Sequence, residues 1–392
     1  MIRREAEQII RSLLRGFPIV TVTGPRQSGK TTLAKAVFAD KPYVSLEDPD
    51  VRLFAREDTR AFLERFPDGA VLDEVQRCPE IFSYLQSLVD ADGRMGLYVL
   101  TGSQHFGLLS GITQSLAGRT AFVELMPFSL KELSKAGKQP LKLEEMLFKG
   151  GYPPLYDREV PVRAWFNAYV TAYLERDVRQ VSNVQDLEAF HRFVRLCAGR
   201  CGQLLNLSSL AGDCGISRNT AKGWISVLET SYVLFQLRPH FANFNKRLVK
   251  TPKLYFYDVG LAAWLLGIEA PHQLETHPLR GNLFETFVVA ELMKSFLNRG
   301  ERPQLSFWRD SNGVEVDVLI ERAGRIIPLE IKSGKTATRE FFSSIDKWTA
   351  LAGNIATDPT LVYGGGKSYR LKGKRVVSWR EIGPELLGIP AS

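Results

Sequence analysis

The chain has 392 residues, 44% of them hydrophobic and 24% charged, with a formal net charge of +8. That length accommodates two to four domains with ample core, and the composition excludes a disordered or fibrous chain. No apolar run reaches the length of a membrane span; the longest are broken by charges or glycine. The start, Met1 to Glu7, reads as a charged helix and not as a secretory leader. The expected location is therefore the cytoplasm, with no membrane partner. The basic excess is compatible with nucleic acid but does not by itself require it. Cys78, Cys197, Cys201 and Cys214 have no histidine at ligand spacing and read as reduced thiols, not a zinc site.

Residues 1–150 alternate strand and helix patterns. Phe17 to Thr23 reads as a buried strand and Thr32 to Ala39 as a helix. Between them, Gly24-Pro25-Arg26-Gln27-Ser28-Gly29-Lys30-Thr31 fits the phosphate-binding loop at every fixed position. The glycines let the backbone wrap an anion, so that successive N–H groups point inward, and the helix N-terminus adds its dipole. Gly24 to Thr32 are the expected nucleotide-binding residues. Lys30 would reach the β- and γ-phosphates, and the Thr31 hydroxyl would ligate Mg²⁺.

Ala70 to Asp73 is an apolar run that ends in two consecutive acids, Asp73 and Glu74. At the carboxyl end of a buried parallel strand, Asp73 would hold Mg²⁺ beside Thr31. Glu74 would orient and deprotonate the attacking water. The pair suits ATP hydrolysis better than the single acid of GTPases. A further buried strand, Leu97 to Gln104, ends in polar residues, of which Ser103 or Gln104 would sense the γ-phosphate or hold the water. Arg119, ahead of the strand Thr120 to Leu125, is either a charge-stabilising arginine, in its own site or a neighbour's, or a surface charge at a turn.

These segments resemble the AAA-type ATPases of the additional-strand, catalytic-glutamate group. More closely, the chain is similar to a prokaryotic family in which an AAA domain is fused to a conserved domain of unknown function. The resemblance rests on GPRQSGKTTL (24–33), VSLEDPD (44–50), VLDEVQRCPE (71–80), LTGSQ (100–104), LAGR (116–119), PFSLKEL (127–133), GGYP (150–153) and ERD (175–177). It runs essentially end to end, and it implies ATP and Mg²⁺ as cofactors.

Residues 151–185 open on a Gly/Pro-rich joint and continue as a helical connector from Val162 to Val181. Residues 186–268 contain a helix from Leu207, a turn at Gly215 and a second helix capped by Ser217. Tyr232 to Leu237 and Leu254 to Tyr257 would be the strands of a wing, with Asn245 to Lys250, including Lys246 and Arg247, at its tip. Arg218, Asn219 and Lys222 would then face a DNA major groove. The alternative is a winged helix used for packing or protein contact.

Residues 270–392 return to strands flanked by helices, after a linker at 270–278. Asp317 lies within one strand, Glu330 and Lys332 share a face of the next, and Glu285 lies on the preceding amphipathic helix. The set is similar to the PD-(D/E)xK nuclease superfamily, with Val316 where a proline is usual. Two carboxylates would hold Mg²⁺ against a phosphodiester, and the lysine would position water. The alternatives are a nuclease fold that only binds, or a strand pair with a salt bridge. The expected architecture is thus α/β: a P-loop parallel-sheet ATPase core, a winged helix-turn-helix domain and a PD-(D/E)xK-like domain. DNA and protein are the candidate macromolecular partners, and oligomeric state is left open.

Overall fold

The computed structural model describes residues 2–103, 115–174, 186–240, 249–383 and 386. Gln104, the Glu175 to Asp177 motif, the end of the expected connector helix and Asn245 to Leu248 of the expected wing tip lie outside the described residues. Contacts divide the chain into two compact units. One is Met1–Phe128 with Thr230–Tyr232 and Leu297–Glu301; the other is Ser129–Glu229, Val233–Phe296 and Arg302–Ser392.

The first unit is built on five strands: β1 (Ile19–Thr23), β2 (Tyr43–Ser45), β3 (Ala70–Asp73), β4 (Tyr98–Gly102) and β5 (Thr120–Glu124). All pair in parallel, in the order β2-β3-β4-β1-β5. β4 thus lies between the strand of the glycine-rich loop and the strand of the two acids. The strands read as unbroken apolar runs because both faces are covered. Val20, Val22, Val71, Val99 and Val123 pack with Ala6, Ile10 and Leu33 on one side. Ile19, Leu72, Tyr98 and Leu100 pack with Phe82, Leu85 and Val89 on the other. Parallel pairing brings the carboxyl ends of β1, β3 and β4 to one edge, where such sheets bind ligands.

In the second unit, the helices Leu207–Cys214 and Arg218–Thr230 are joined at Gly215, which takes a left-handed φ of 71°. The Ser217 hydroxyl accepts the Thr220 N–H at 3.0 Å, the expected cap. β6 (Leu234–Leu237) and β7 (Lys253–Phe256) form an antiparallel ribbon. The expected linker contains a short 3₁₀ helix, Pro271–Glu275, anchored by buried Leu274. The helix Arg280–Leu297 follows.

The unit's larger sheet has six strands: β8 (Leu305–Arg309), β9 (Glu315–Arg322), β10 (Arg325–Lys332), β11 (Thr360–Tyr363), β12 (Tyr369–Leu371) and β13 (Lys374–Ser378). Their order is β12-β13-β11-β10-β9-β8, with β10, β11 and β13 mutually parallel. Trp308, Val316, Leu319 and Leu361 of this sheet pack against Phe342, Ile345 and Trp348. Among the described residues, no helix is long and apolar enough to cross a membrane, and the four cysteines are buried and free.

Candidate nucleotide site and a carboxylate–lysine cluster

β1 ends at Thr23 and the chain turns at once through Gly24. At this residue φ is +145°, and a Cβ would lie 2.2 Å from the Leu125 carbonyl oxygen. Only glycine fits. Gln27 (φ 60°) and Gly29 (φ 92°) complete the turn into the helix Lys30–Val37. The loop is braced from below by Arg4, whose guanidinium donates to Ser28 O and Met126 O, both at 2.6 Å. Gly24→Ala should remove nucleotide binding, read by fluorescent-nucleotide titration, because the loop must shift away from Leu125.

Lys30 is buried, and its ammonium donates to Gly24 O (3.0 Å) and Pro25 O (2.8 Å) of its own loop. The Thr31 hydroxyl donates to Asp73 Oδ2 at 3.0 Å. Tyr43 donates to the same oxygen at 2.7 Å and Thr101 to the other. Burial, followed by the hydrogen bond to Asp73, pushes the Tyr43 hydroxyl well above its ordinary pKa, so Tyr43 remains a donor to the carboxylate. A hydroxyl and a carboxylate brought together beside a phosphate loop are the hard-oxygen donors that Mg²⁺ takes alongside substrate phosphates. Ser28 Oγ is buried with no hydrogen-bond partner among the described residues, which fits a loop shaped to receive an acceptor-rich ligand. Arg26 and Gln27 lie in the loop; Thr32 is exposed on the following turn.

Glu74 takes a left-handed φ of 56°, a conformation unfavourable for a side-chain-bearing residue and common where function demands it. Its Oε2 accepts hydrogen bonds from Gln76 Nε2 and from Ser103 Oγ (3.3 Å). Gln76 Nε2 also reaches Ser103 Oγ at 3.5 Å, and its own Oε1 is buried with no hydrogen-bond partner among the described residues. Lys30, Thr31, Asp73, Glu74 and Ser103 therefore share one edge of the sheet. Arg119 does not join them. Its carbonyl pairs with the N–H of Ile19, at the start of β1, so the length of β1, about 16 Å, separates it from the loop of its own chain. Its guanidinium makes a two-point pair with Asp90, at 2.6 and 2.7 Å.

The second unit brings together all four residues of the expected nuclease-like set. Antiparallel pairing of β9 and β10 through Val318 and Leu329 sets Asp317 beside Glu330. Asp317 Oδ2 accepts the Ile331 N–H at 2.8 Å, and Lys332 Nζ lies 2.6 Å from Glu330 and 4.0 Å from Asp317. Burial and then the Asp317 charge push the Glu285 carboxyl up to about 7 and the Glu330 carboxyl up to about 8; burial raises Asp317 as well.

Sequence reasoning missed a member of this cluster. Lys253 of β7, whose side chain is only 3% exposed, places its ammonium 2.9 Å from Glu285 and 2.5 Å from Glu315. Tyr255 donates to Glu285 at 2.6 Å, and Arg309 pairs with Glu315 at 3.0 Å. Burial opposes the Lys253 charge, yet Glu285, Asp317 and Glu315 together hold it well above its ordinary pKa. Two ammonium groups thus balance the carboxylates where a divalent cation was expected. Among the described residues, no group of three or more acidic, His or Cys side chains is disposed to hold a metal.

Residues 16–134 match the AAA domain family, residues 140–272 a domain of unknown function (DUF8612) and residues 280–382 another (DUF4143). The uncharacterized protein Rv2008c of Mycobacterium tuberculosis is 32% identical over 337 residues, which span 85% of this chain and 74% of that protein. The uncharacterized protein MJ1637 of Methanocaldococcus jannaschii is 23% identical over 248 residues, 62% of this chain and 48% of that protein. Among solved structures, the Walker-type ATPase PABY2304 of Pyrococcus abyssi aligns with a TM-score of 0.47 at 14% identity, covering 68% of this chain and 96% of that one.

Proposed function

We propose that this chain, which belongs to the family of the mycobacterial protein Rv2008c and carries an AAA domain in residues 16–134, is an ATP-hydrolysing switch that acts on nucleic acid. The observation that carries the ATPase reading is the Thr31–Asp73 hydrogen bond at 3.0 Å, with Glu74 next in the chain and the glycine loop adjoining. In this reading the loop N–H groups and Lys30 hold the phosphates. Thr31 and Asp73 would hold Mg²⁺, which would supply charge neutralisation. Glu74 takes the proton of the attacking water as the terminal P–O bond breaks, and Ser103 and Gln76 keep its carboxylate oriented. Lys30→Ala should lose both nucleotide affinity and turnover; retention of both would remove the assignment.

The nucleic-acid part of the proposal draws on the paired helices at 207–230 and the ribbon after them, read as a winged helix-turn-helix. Arg218, Asn219 and Lys222 are exposed on its second helix, and the net charge is +8. Binding should weaken steeply with salt, as phosphate recognition requires. A salt-independent complex with protein alone would instead favour a signalling or scaffold ATPase whose C-terminal domains bind protein.

Metal-dependent cleavage is a second reading, favoured by the convergence of Glu285, Asp317, Glu330 and Lys332. The Lys253 ammonium argues for a binding role. DNA cleavage that disappears in Asp317→Ala would reverse that preference.

A further inference from the structure

The outer edge of the larger sheet carries a cationic cleft that neither the nucleotide site nor the carboxylate cluster uses. It is a cavity of about 550 Å³, lined by Arg370 of β12, Arg375 of β13, Arg380 just beyond, and Lys131, with Tyr369 and Glu381 beside them. Arg370 and Arg375 are directly paired across the antiparallel ladder. Like charges in that position repel and destabilise the sheet. Among the described residues, no carboxylate lies within ion-pair distance of Arg370, Arg375 or Arg380. Arg370 donates to Gly373 O at 2.7 Å, and Arg380 stacks 4.7 Å over the Trp379 ring while donating to Leu141 O. Both are held in place by backbone and ring contacts, with most of their donors still available.

Guanidinium groups held in this way match the paired oxygens of phosphate, and arginine is the side chain suited to that geometry. We propose that this cleft binds the phosphodiester backbone of nucleic acid, its oxygens held by Arg370, Arg375 and Arg380. The proposal deepens the nucleic-acid reading above and rests on it.

The test is fluorescence anisotropy of the full-length protein with a 5′-labelled 15-nucleotide oligo(dT), across a salt series, with inorganic phosphate and thymidine monophosphate as competitors. The wild-type protein should bind with affinity that falls as salt rises. Arg370→Glu/Arg375→Glu should weaken binding at least thirtyfold and flatten the salt slope, since each lost phosphate contact removes about 0.7 from it. Tyr369→Ala, whose side chain lies on the opposite face of β12 from Arg370 and Arg375, should leave binding and slope unchanged. Unchanged ATP turnover and thermal unfolding would show that the variants are folded. If the wild type binds the oligonucleotide and the variants bind it equally well, the cleft is not the site, while the nucleic-acid reading stands. If the wild type does not bind the oligonucleotide, the cleft proposal falls; the nucleic-acid reading falls with it only if a 15-base-pair duplex, the form the paired helices would engage, is not bound either. Displacement by phosphate or thymidine monophosphate at concentrations comparable to the oligonucleotide would overturn the strand assignment in favour of a small phosphate ligand.

Discussion

Glu74→Gln should lower ATP turnover by about 10²–10⁴-fold while leaving nucleotide affinity near that of the wild type. The substitution keeps the size of the side chain and its reach toward Gln76 and Ser103, and removes only the ability to take a proton. Lys30→Ala should differ in kind: in the proposed reading Lys30 holds the phosphates, so its loss weakens binding as well. Gln76→Ala and Ser103→Ala should each lower kcat by roughly tenfold with KM unchanged. These residues touch the carboxylate and not the substrate, so losing either one loosens the orientation of Glu74. Steady-state kinetics with each variant, beside a nucleotide-binding titration, separate the three outcomes. Wild-type turnover in Glu74→Gln would remove Glu74 as the base.

Lys253→Met should destabilise the C-terminal unit by about 3–5 kcal/mol, the range found when one partner of a buried ion pair is removed. The ammonium bridges Glu285 and Glu315, and its loss leaves both carboxylates buried without it. The defect should also depend on pH. In the folded chain the carboxyls of Glu285 and Glu330 are raised to about 7 and about 8, against an ordinary value of 4.5. The folded state therefore keeps protons that the unfolded state has already released. Their contribution to stability is fully present below about pH 4.5 and is lost as pH climbs through 7 to 8. The wild type should grow less stable across that window, and Lys253→Met should do so more steeply, its deficit being largest at the alkaline end. Urea unfolding between pH 5 and 9 measures both. Equal stability of the two proteins at every pH would show that Lys253 does not balance the cluster.

Much of the nucleotide site was legible along the chain because its parts are local. A strand, a glycine turn and a helix N-terminus follow one another within fifteen residues, and backbone geometry alone forces the loop to face an anion. The two acids end a buried run and so had to emerge at the sheet edge. The nuclease-like quartet was legible for a related reason. Strand alternation puts Glu330 and Lys332 on one face, and an antiparallel neighbour brings Asp317 alongside. Ser217 announced a helix start that the structure bears out.

What the chain could not announce depends on distance in sequence. Gln76 and Ser103 meet at Glu74 only because β3 and β4 are neighbours in the sheet. Arg119 could be read along the chain as a charge-stabilising arginine or as a surface charge at a turn; parallel pairing with β1 sets it at the other end of the strand from its own loop, against Asp90. Lys253 is a single charge in a short ribbon, with no pattern around it. Only the approach of β7 to the helix Arg280–Leu297 and to β9 turns it into the counter-ion of Glu285 and Glu315. By itself the sequence determined the glycine-rich loop, the pair of acids at the end of β3 and the register of the acidic strands, because these follow from backbone geometry and from periods of a few residues. The tertiary structure alone decided which charges neutralise one another, because Coulomb interactions in a buried site depend on separation in space and not along the chain.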